Sequence, residues 1–236
     1  MGEHGKHRLL VRLAALLSGL GAAPAEAACR LALALAVDAS SSVDALDYNL
    51  QREGLAAALD APDIRRAILM SGRGDVVLSV YEWSGRFQQQ LHLDWTPLRS
   101  PDDITRAVAT IAGMRRVTAE FPTALGSALG YGAQLMTRAP ADCARRVIDV
   151  SGDGANNQGF GPRLAYRHFP FDGITVNGLV VLGHGPTVVA HYSDEVLRGP
   201  GAFLELARGY ADFERAMGRK LFREISDLVV GARPDQ

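Results

Sequence analysis

Asp38-Ala39-Ser40-Ser41-Ser42 follows directly on the apolar run Leu31–Val37. Its carboxylate and two spaced hydroxyls are hard oxygen donors, which suit Mg²⁺, Mn²⁺ or Ca²⁺ rather than zinc or copper. A second apolar stretch, Val147–Val150, ends in Ser151-Gly152-Asp153-Gly154. Between the two lies Phe121-Pro122-Thr123-Ala124-Leu125-Gly126, which delivers a threonine at the start of a helical pattern. Together these segments can surround a hard cation. Ser40, Ser42 and Thr123 would supply neutral oxygens, and Asp38 and Asp153 the negative charge, directly or through water. Each fragment also has a plainer reading. Ser and Asp are favoured N-cap residues, so the pentapeptide reads equally as a turn capping the next helix. Thr123 by itself reads as an N-cap, and Asp153 by itself as a turn residue before Gly154.

The elements that must carry these residues alternate strand and helix, the pattern of a doubly wound α/β sheet. The run ending at Asp38 is apolar on both faces, as in a strand at the centre of a parallel sheet. In such sheets the ligand site lies just beyond the carboxyl ends of the strands. The spacing predicts a helix over 43–59 with Leu46, Leu50 and Ala57 on its buried face, and a strand over 75–83. Residues 88–95 then alternate, with Gln88, Gln90, His92 and Asp94 on one face and Leu91, Leu93 and Trp95 on the other. That alternation marks an antiparallel edge strand with one wet face. Further helices are expected over 102–114 (Ile104, Val108, Ile111) and after Thr123 (Leu125, Ala128, Leu129, Met136). Strands are expected over 174–182 and 203–206. A closing helix carries Tyr210, Phe213, Met217, Leu221, Ile225 and Leu228. The expected architecture is a mostly parallel sheet with an antiparallel edge and helices on both faces.

The order Asp38-x-Ser40-x-Ser42, then Thr123, then Asp153 resembles the metal-ion-dependent adhesion site of von Willebrand factor A domains. All five positions stand in that family's order, which favours the cation reading over the plainer ones. Arg146-Val-Ile-Asp-Val-Ser-Gly-Asp-Gly154 and Asn177-Gly-Leu-Val180 are similar to a bacterial secreted A-domain-like family, domain of unknown function 1194. The resemblance covers nearly all of the chain after its leader and includes the edge hairpin. One position departs from it: the usual aspartate turn reads Thr-Asp-Gly, and here it is Gly152-Asp153-Gly154. The resemblance implies Mg²⁺, with Mn²⁺ or Ca²⁺ as alternatives. It implies a vacancy on the ion that an acidic side chain of a protein or peptide partner fills. The positive ends of adjoining helices would also favour an incoming anion.

Residues 1–27 read as a signal peptide. Lys6, Arg8 and Arg12 precede an apolar stretch from Leu9 to Ala23, and Ala25-Glu26-Ala27 fits a signal-peptidase site. That stretch is shorter than the roughly 20 residues a span needs, and no later stretch matches it. The expectation is a periplasmic or secreted protein with no stable membrane insertion after cleavage, a retained signal anchor being the alternative. Residues 28–230 then form one A-like domain and residues 231–236 a polar tail. Beyond the leader, 22 basic residues face 24 acidic ones, which gives no support for a nucleic-acid partner. Lys220 is the one lysine outside the leader.

Cys29 lies nine residues before Asp38, and Cys143 ten before Asp153. If both aspartates end neighbouring parallel strands, both cysteines fall near the opposite ends of those strands. Strands about 4.8 Å apart satisfy the roughly 4.4–6.8 Å that a disulfide asks of its Cα atoms. An exported chain meets an oxidising compartment, so a Cys29–Cys143 bridge is expected. Lipidation of Cys29 is the rival, opposed by Glu26 where a lipoprotein signal carries an aliphatic residue.

Asp149 sits inside an apolar strand and must be paired or hydrogen-bonded. A buried carboxylate tying down a neighbouring loop is the expectation for it, ahead of a metal role. Asn156 and Asn157 are expected to hold the Asp153 loop by side-chain-to-backbone bonds. His168, His184 and His191 show no ligand spacing, and Trp83 and Trp95 read as core. No nucleophile–base pairing or phosphate loop stands out, so a non-catalytic binding module leads. A phosphatase of the haloacid dehalogenase type is the enzymatic alternative, with Asp38 as nucleophile and Gly152-Asp153-Gly154 as its late metal motif. Against it, Ser40 stands where a second catalytic aspartate belongs, and no lysine precedes the late motif. A metal-free A-domain scaffold is the third reading.

Overall fold

The computed structural model describes residues 1, 29–70, 74–183, 185 and 187–226. Most of the expected leader, His184, Leu228 and the tail 231–236 lie outside the described residues. Six strands form one sheet: β1 (Cys29–Asp38), β2 (Asp75–Trp83), β3 (Gln89–Pro97), β4 (Cys143–Gly152), β5 (Ile174–Val181) and β6 (Leu204–Ala207). Their order is β3-β2-β1-β4-β5-β6. All pairings are parallel except that of β3, which runs antiparallel to β2 at the edge. The strand order reverses between β1 and β4, and such a switch point opens a crevice at the strands' carboxyl ends.

The alternation within β1 chooses which helices lie on each face. Leu31, Leu33, Leu35 and Val37 point into one core. There they meet α1 (Ala45–Asp60), α2 (Pro62–Ile68), α3 (Pro101–Ala112) and α7 (Phe213–Ile225). Ala32, Ala34 and Ala36 point the other way, toward α4 (Leu125–Met136) and α5 (Pro162–His168). Small side chains on that face let α4 pack close. The chemistry of α4 matches, since a Cβ at Gly132 would fall 2.5 Å from the Tyr81 hydroxyl, which itself donates to Ala128 O. α6 (Thr187–His191) runs into a π-helical turn, Tyr192–Val196, on this same side.

At the far end of the sheet Cys29 pairs in register with Cys143. The two form the expected disulfide, with Cα atoms 4.3 Å apart across a sequence separation of 114.

Two expected faces are corrected. The helix predicted over 43–59 begins at Ala45, behind the N-cap Asp44. Leu46 is 66% exposed, Ala57 is exposed, and Leu50 is only partly buried. The inward stripe is instead Tyr48, Gln51, Leu55, Ala58 and Leu59. Gln51 decides the phase, because its amide donates to Asp38 O at 2.8 Å and accepts from Ser151 Oγ at 3.2 Å. A glutamine with both ends satisfied displaces a leucine from the interior. In β3, Leu91 and Trp95 pack on the α4 side, but Leu93 packs on the opposite core. Irregular registers flank Val80, which pairs with Leu93 while Tyr81 pairs with Leu91. A bulge there offsets the period of two.

Asp149 is paired as expected, with a helix rather than a loop. Its Oδ1 lies 3.0 Å from Lys220 Nζ of α7, and Lys220 also meets Glu224 at 3.1 Å. Asn177 Nδ2 of β5 donates to Glu224 at 2.8 Å. The one lysine beyond the leader thus pins α7 to β4 and β5 inside the protein. Burial, and then the neighbouring Glu224, push the Asp149 carboxyl upward, while the ammonium opposes them.

Candidate metal centre

The five residues singled out in the sequence converge at the switch point. Asp38 ends β1 and is fully buried. Its Oδ1 accepts the backbone N–H of Ser40 at 2.7 Å, which turns the chain so that both serine hydroxyls face the crevice. Ser40 Oγ and Ser42 Oγ are 3.1 Å apart. Thr123 Oγ1 reaches Ser40 Oγ at 3.4 Å, and Ser42 Oγ donates to Asp153 Oδ1 at 2.6 Å. Three hydroxyls and two carboxylates from three loops therefore form one contiguous patch of oxygen.

The capping alternatives do not describe these side chains. Asp44, not Ser40 or Ser42, caps α1 by accepting from Asp47 N. α4 starts at Leu125 with no side-chain cap, and the Thr123 hydroxyl turns toward Ser40. The asparagines do hold the loop. Asn157 Oδ1 accepts from Thr123 N at 2.9 Å, and Asn156 Oδ1 accepts from Gly126 N at 3.2 Å. Gly126 has to be glycine for the same closure, since a Cβ there would lie 2.0 Å from Phe160 O.

Three supports lie outside the residues that the sequence singles out. Gln51 fixes the carbonyl of Asp38 from below. Arg116 Nη2 donates to Ala39 O at 2.9 Å and Ser40 O at 2.8 Å, with its guanidinium over the Tyr48 ring. His191 Nε2 accepts from Asn156 N at 3.2 Å, so it braces the Asp153 loop instead of standing apart. A polar residue inside the apolar stripe of α1 was the available clue to Gln51; nothing local points to the other two. His168 is exposed, and Trp83 is fully buried as expected.

The donor set fits a hard cation. Burial, and then the charge of Asp153, push the Asp38 carboxyl up to about 7, although the Ser40 N–H opposes the shift. A carboxylate in that position calls for positive charge nearby, and no lysine or arginine side chain hydrogen-bonds to it among the described residues. The oxygen separations of 2.6–3.4 Å bracket the roughly 2.9 Å between neighbouring ligands of an octahedral Mg²⁺ at about 2.05 Å. Among the described residues no group of three or more His, Cys, Asp or Glu forms a metal cage. Hydroxyls, not thiolates or imidazoles, dominate here. Among those residues, too, no helix is long and apolar enough to cross a membrane.

The fold is that of von Willebrand factor A domains. Proximal thread matrix protein 1 from the mussel byssus, in a structure described with a zinc-occupied MIDAS motif, aligns with a TM-score of 0.62 at 13% identity. The alignment covers 86% of this chain and 48% of that one, so this chain spans about half the mussel protein. A von Willebrand factor type A protein from Catenulispora acidiphila aligns at TM-score 0.55 and 14% identity, over 84% of this chain and 42% of that one. The pilus adhesin SpaC from Lactobacillus rhamnosus GG gives 0.58 at 12%, over 85% and 30%. No curated protein is significantly similar in sequence. The family model described as protein of unknown function (DUF1194) matches residues 28–229, and the chain belongs to that family.

Proposed function

We propose that the protein is an exported, non-catalytic binding module that grips a protein or peptide partner through a divalent cation. The observation that carries this reading is the single oxygen patch formed by Ser40, Ser42, Thr123, Asp38 and Asp153 at the crevice between β1 and β4. Ser40, Ser42 and Thr123 would hold the ion, with Asp38 and Asp153 balancing its charge. Mg²⁺ is the expected ion, with Mn²⁺ or Ca²⁺ as alternatives. Bound there, the ion supplies a Lewis-acidic position for a partner's Asp or Glu. Neutral hydroxyl ligands leave it electron-poor, which favours one more carboxylate. The zinc-bearing mussel relative and the pilus adhesin support a metal-assisted binding role at the level of fold. Export rests on the leader-like residues 1–27, and the disulfide suits an oxidising compartment.

The phosphatase alternative loses support from the position of Lys220. That residue is wholly buried against Asp149 and Glu224, and Asp149 pairs in register with Leu35, not with Asp38. Ser40, where a second catalytic aspartate belongs, is occupied in the hydroxyl cluster.

Calorimetric titration with Mg²⁺, Mn²⁺, Ca²⁺ and Zn²⁺, on wild type and Ser42→Ala, tests the site. Saturable heats in the wild type that vanish in the variant support it. Negligible heats in both would leave the metal-free scaffold as the better account. Affinity capture from the exporting cell, with and without chelator, then tests the role, because a partner retained equally with chelator present rules out the ion as the grip.

A further inference from the structure

Gly152, the last residue of β4, sits tight against three side chains, Asp38, Tyr192 and Trp83. A Cβ at Gly152 would lie 2.6 Å from the Tyr192 hydroxyl, 2.7 Å from Asp38 Oδ2 and 3.3 Å from Trp83 Cζ2. All three side chains are fully buried. The Tyr192 hydroxyl and Asp38 Oδ2 have no hydrogen-bond partner among the described residues. Buried polar atoms in that state are rare and costly, and each calls for a reason. Here one is a phenol that donates and the other a carboxylate oxygen that accepts. Both lie within 2.7 Å of the Cβ position that Gly152 leaves without a side chain, so an adjustment of the tyrosine brings its hydroxyl onto the carboxylate.

That point is the side-chain position of residue 152, which is glycine in this chain. A threonine there would put its Cβ into the Tyr192 hydroxyl. Tyr192 opens the π-helical turn after α6, and π-helical turns recur at functional sites. The residue before it, His191, already accepts the Asn156 N–H on the Asp153 loop.

We infer that Tyr192 is a positioning residue of the cation site, its hydroxyl supplying Asp38 Oδ2 with the donor that residue 152 does not. Gly152 is glycine because that hydroxyl takes its side-chain space. This rests on the cation site proposed above. Asp38 Oδ1 is already fixed by the Ser40 N–H, and a donor on Oδ2 fixes the second oxygen. Such outer-shell partners typically carry about 10–100-fold in metal affinity.

The test is Mn²⁺ titration of the full chain by calorimetry, on wild type and Tyr192→Phe, with the metal-free Tm of each measured alongside. The expected result is affinity weakened by roughly tenfold or more, in a protein that still melts well above the titration temperature without metal. A purely structural tyrosine would lower the Tm and leave the affinity alone. Equal Mn²⁺ affinity in the two proteins overturns this inference and spares the site. Absence of Mn²⁺ binding in the wild type overturns the site and the inference with it. Gly152→Ala, alone and combined with Tyr192→Phe, checks the steric half without any metal. The single variant should lose Tm, and the pair should recover part of that loss. No recovery refutes the claim that the hydroxyl excludes a side chain at 152.

Discussion

Ser42 Oγ donates to Asp153 Oδ1 at 2.6 Å, joining two loops 111 residues apart in the chain. That bond closes the ring of oxygens begun by Asp38 and Ser40. It also shows why the two strands must be neighbours: only adjacent β1 and β4 bring these loops within a hydroxyl's reach. With a cation present, the same two oxygens are well placed to share it.

The threonine separates hydroxyl chemistry from shape. Thr123→Ser keeps the oxygen that reaches Ser40, so divalent-ion affinity should stay within a few-fold of wild type. Thr123→Val keeps the volume and loses the oxygen, and should weaken binding by at least about tenfold, on the scale of ligand-support losses. Calorimetric titration of both variants reads the difference.

Ion binding should appear as stability. A ligand that binds only the folded state adds about 2.7 kcal/mol at 100 times its Kd. The Tm should therefore rise with Mg²⁺ or Mn²⁺ and fall back on adding chelator. In Ser42→Ala the same additions should leave the Tm nearly unmoved.

The buried triad of Lys220, Asp149 and Glu224 is a second point of vulnerability. Lys220→Met leaves two buried acids without their cation, and removing one partner of such a group costs about 3–5 kcal/mol. Denaturant melts should show that loss. Adding Asp149→Leu to the same chain should recover much of it, because one of the stranded carboxylates is then gone.

The disulfide closes most of the domain into one loop, with its cysteines 114 positions apart. Replacing both cysteines by serine should lower stability by roughly 2–5 kcal/mol, with the chain-entropy account near the upper end. Urea midpoints of wild type with and without reductant, and of the double variant, measure it. The candidate cation site lies at the opposite end of β1, so ion affinity should change little.

The convergence of the five candidate residues is legible in the sequence because each follows a local signal: an apolar strand, a turn, a hydrophilic donor. Their order supplied the rest. The Cys29–Cys143 bridge followed from counting along two strands of nearly equal length. The face of α1 differs from the expected one because residue hydrophobicity ranks Leu46 above Gln51, while hydrogen bonds to Asp38 and Ser151 rank them in reverse. The two faces of β3 differ from the expected ones because a bulge leaves no mark in an alternating pattern.

What the sequence determined by itself is periodic or short-range: strand and helix types, the parallel sheet with its wet edge, and which residues end which strands. Alternation of Leu and Ala along β1 even assigns the two cores. Only the tertiary structure decided the supports around the oxygens. Arg116, His191 and the Lys220–Asp149 pair act across dozens of residues through one or two contacts each. Local propensity has no term for such pairs, because their energy exists only once packing has excluded water and set the partners face to face.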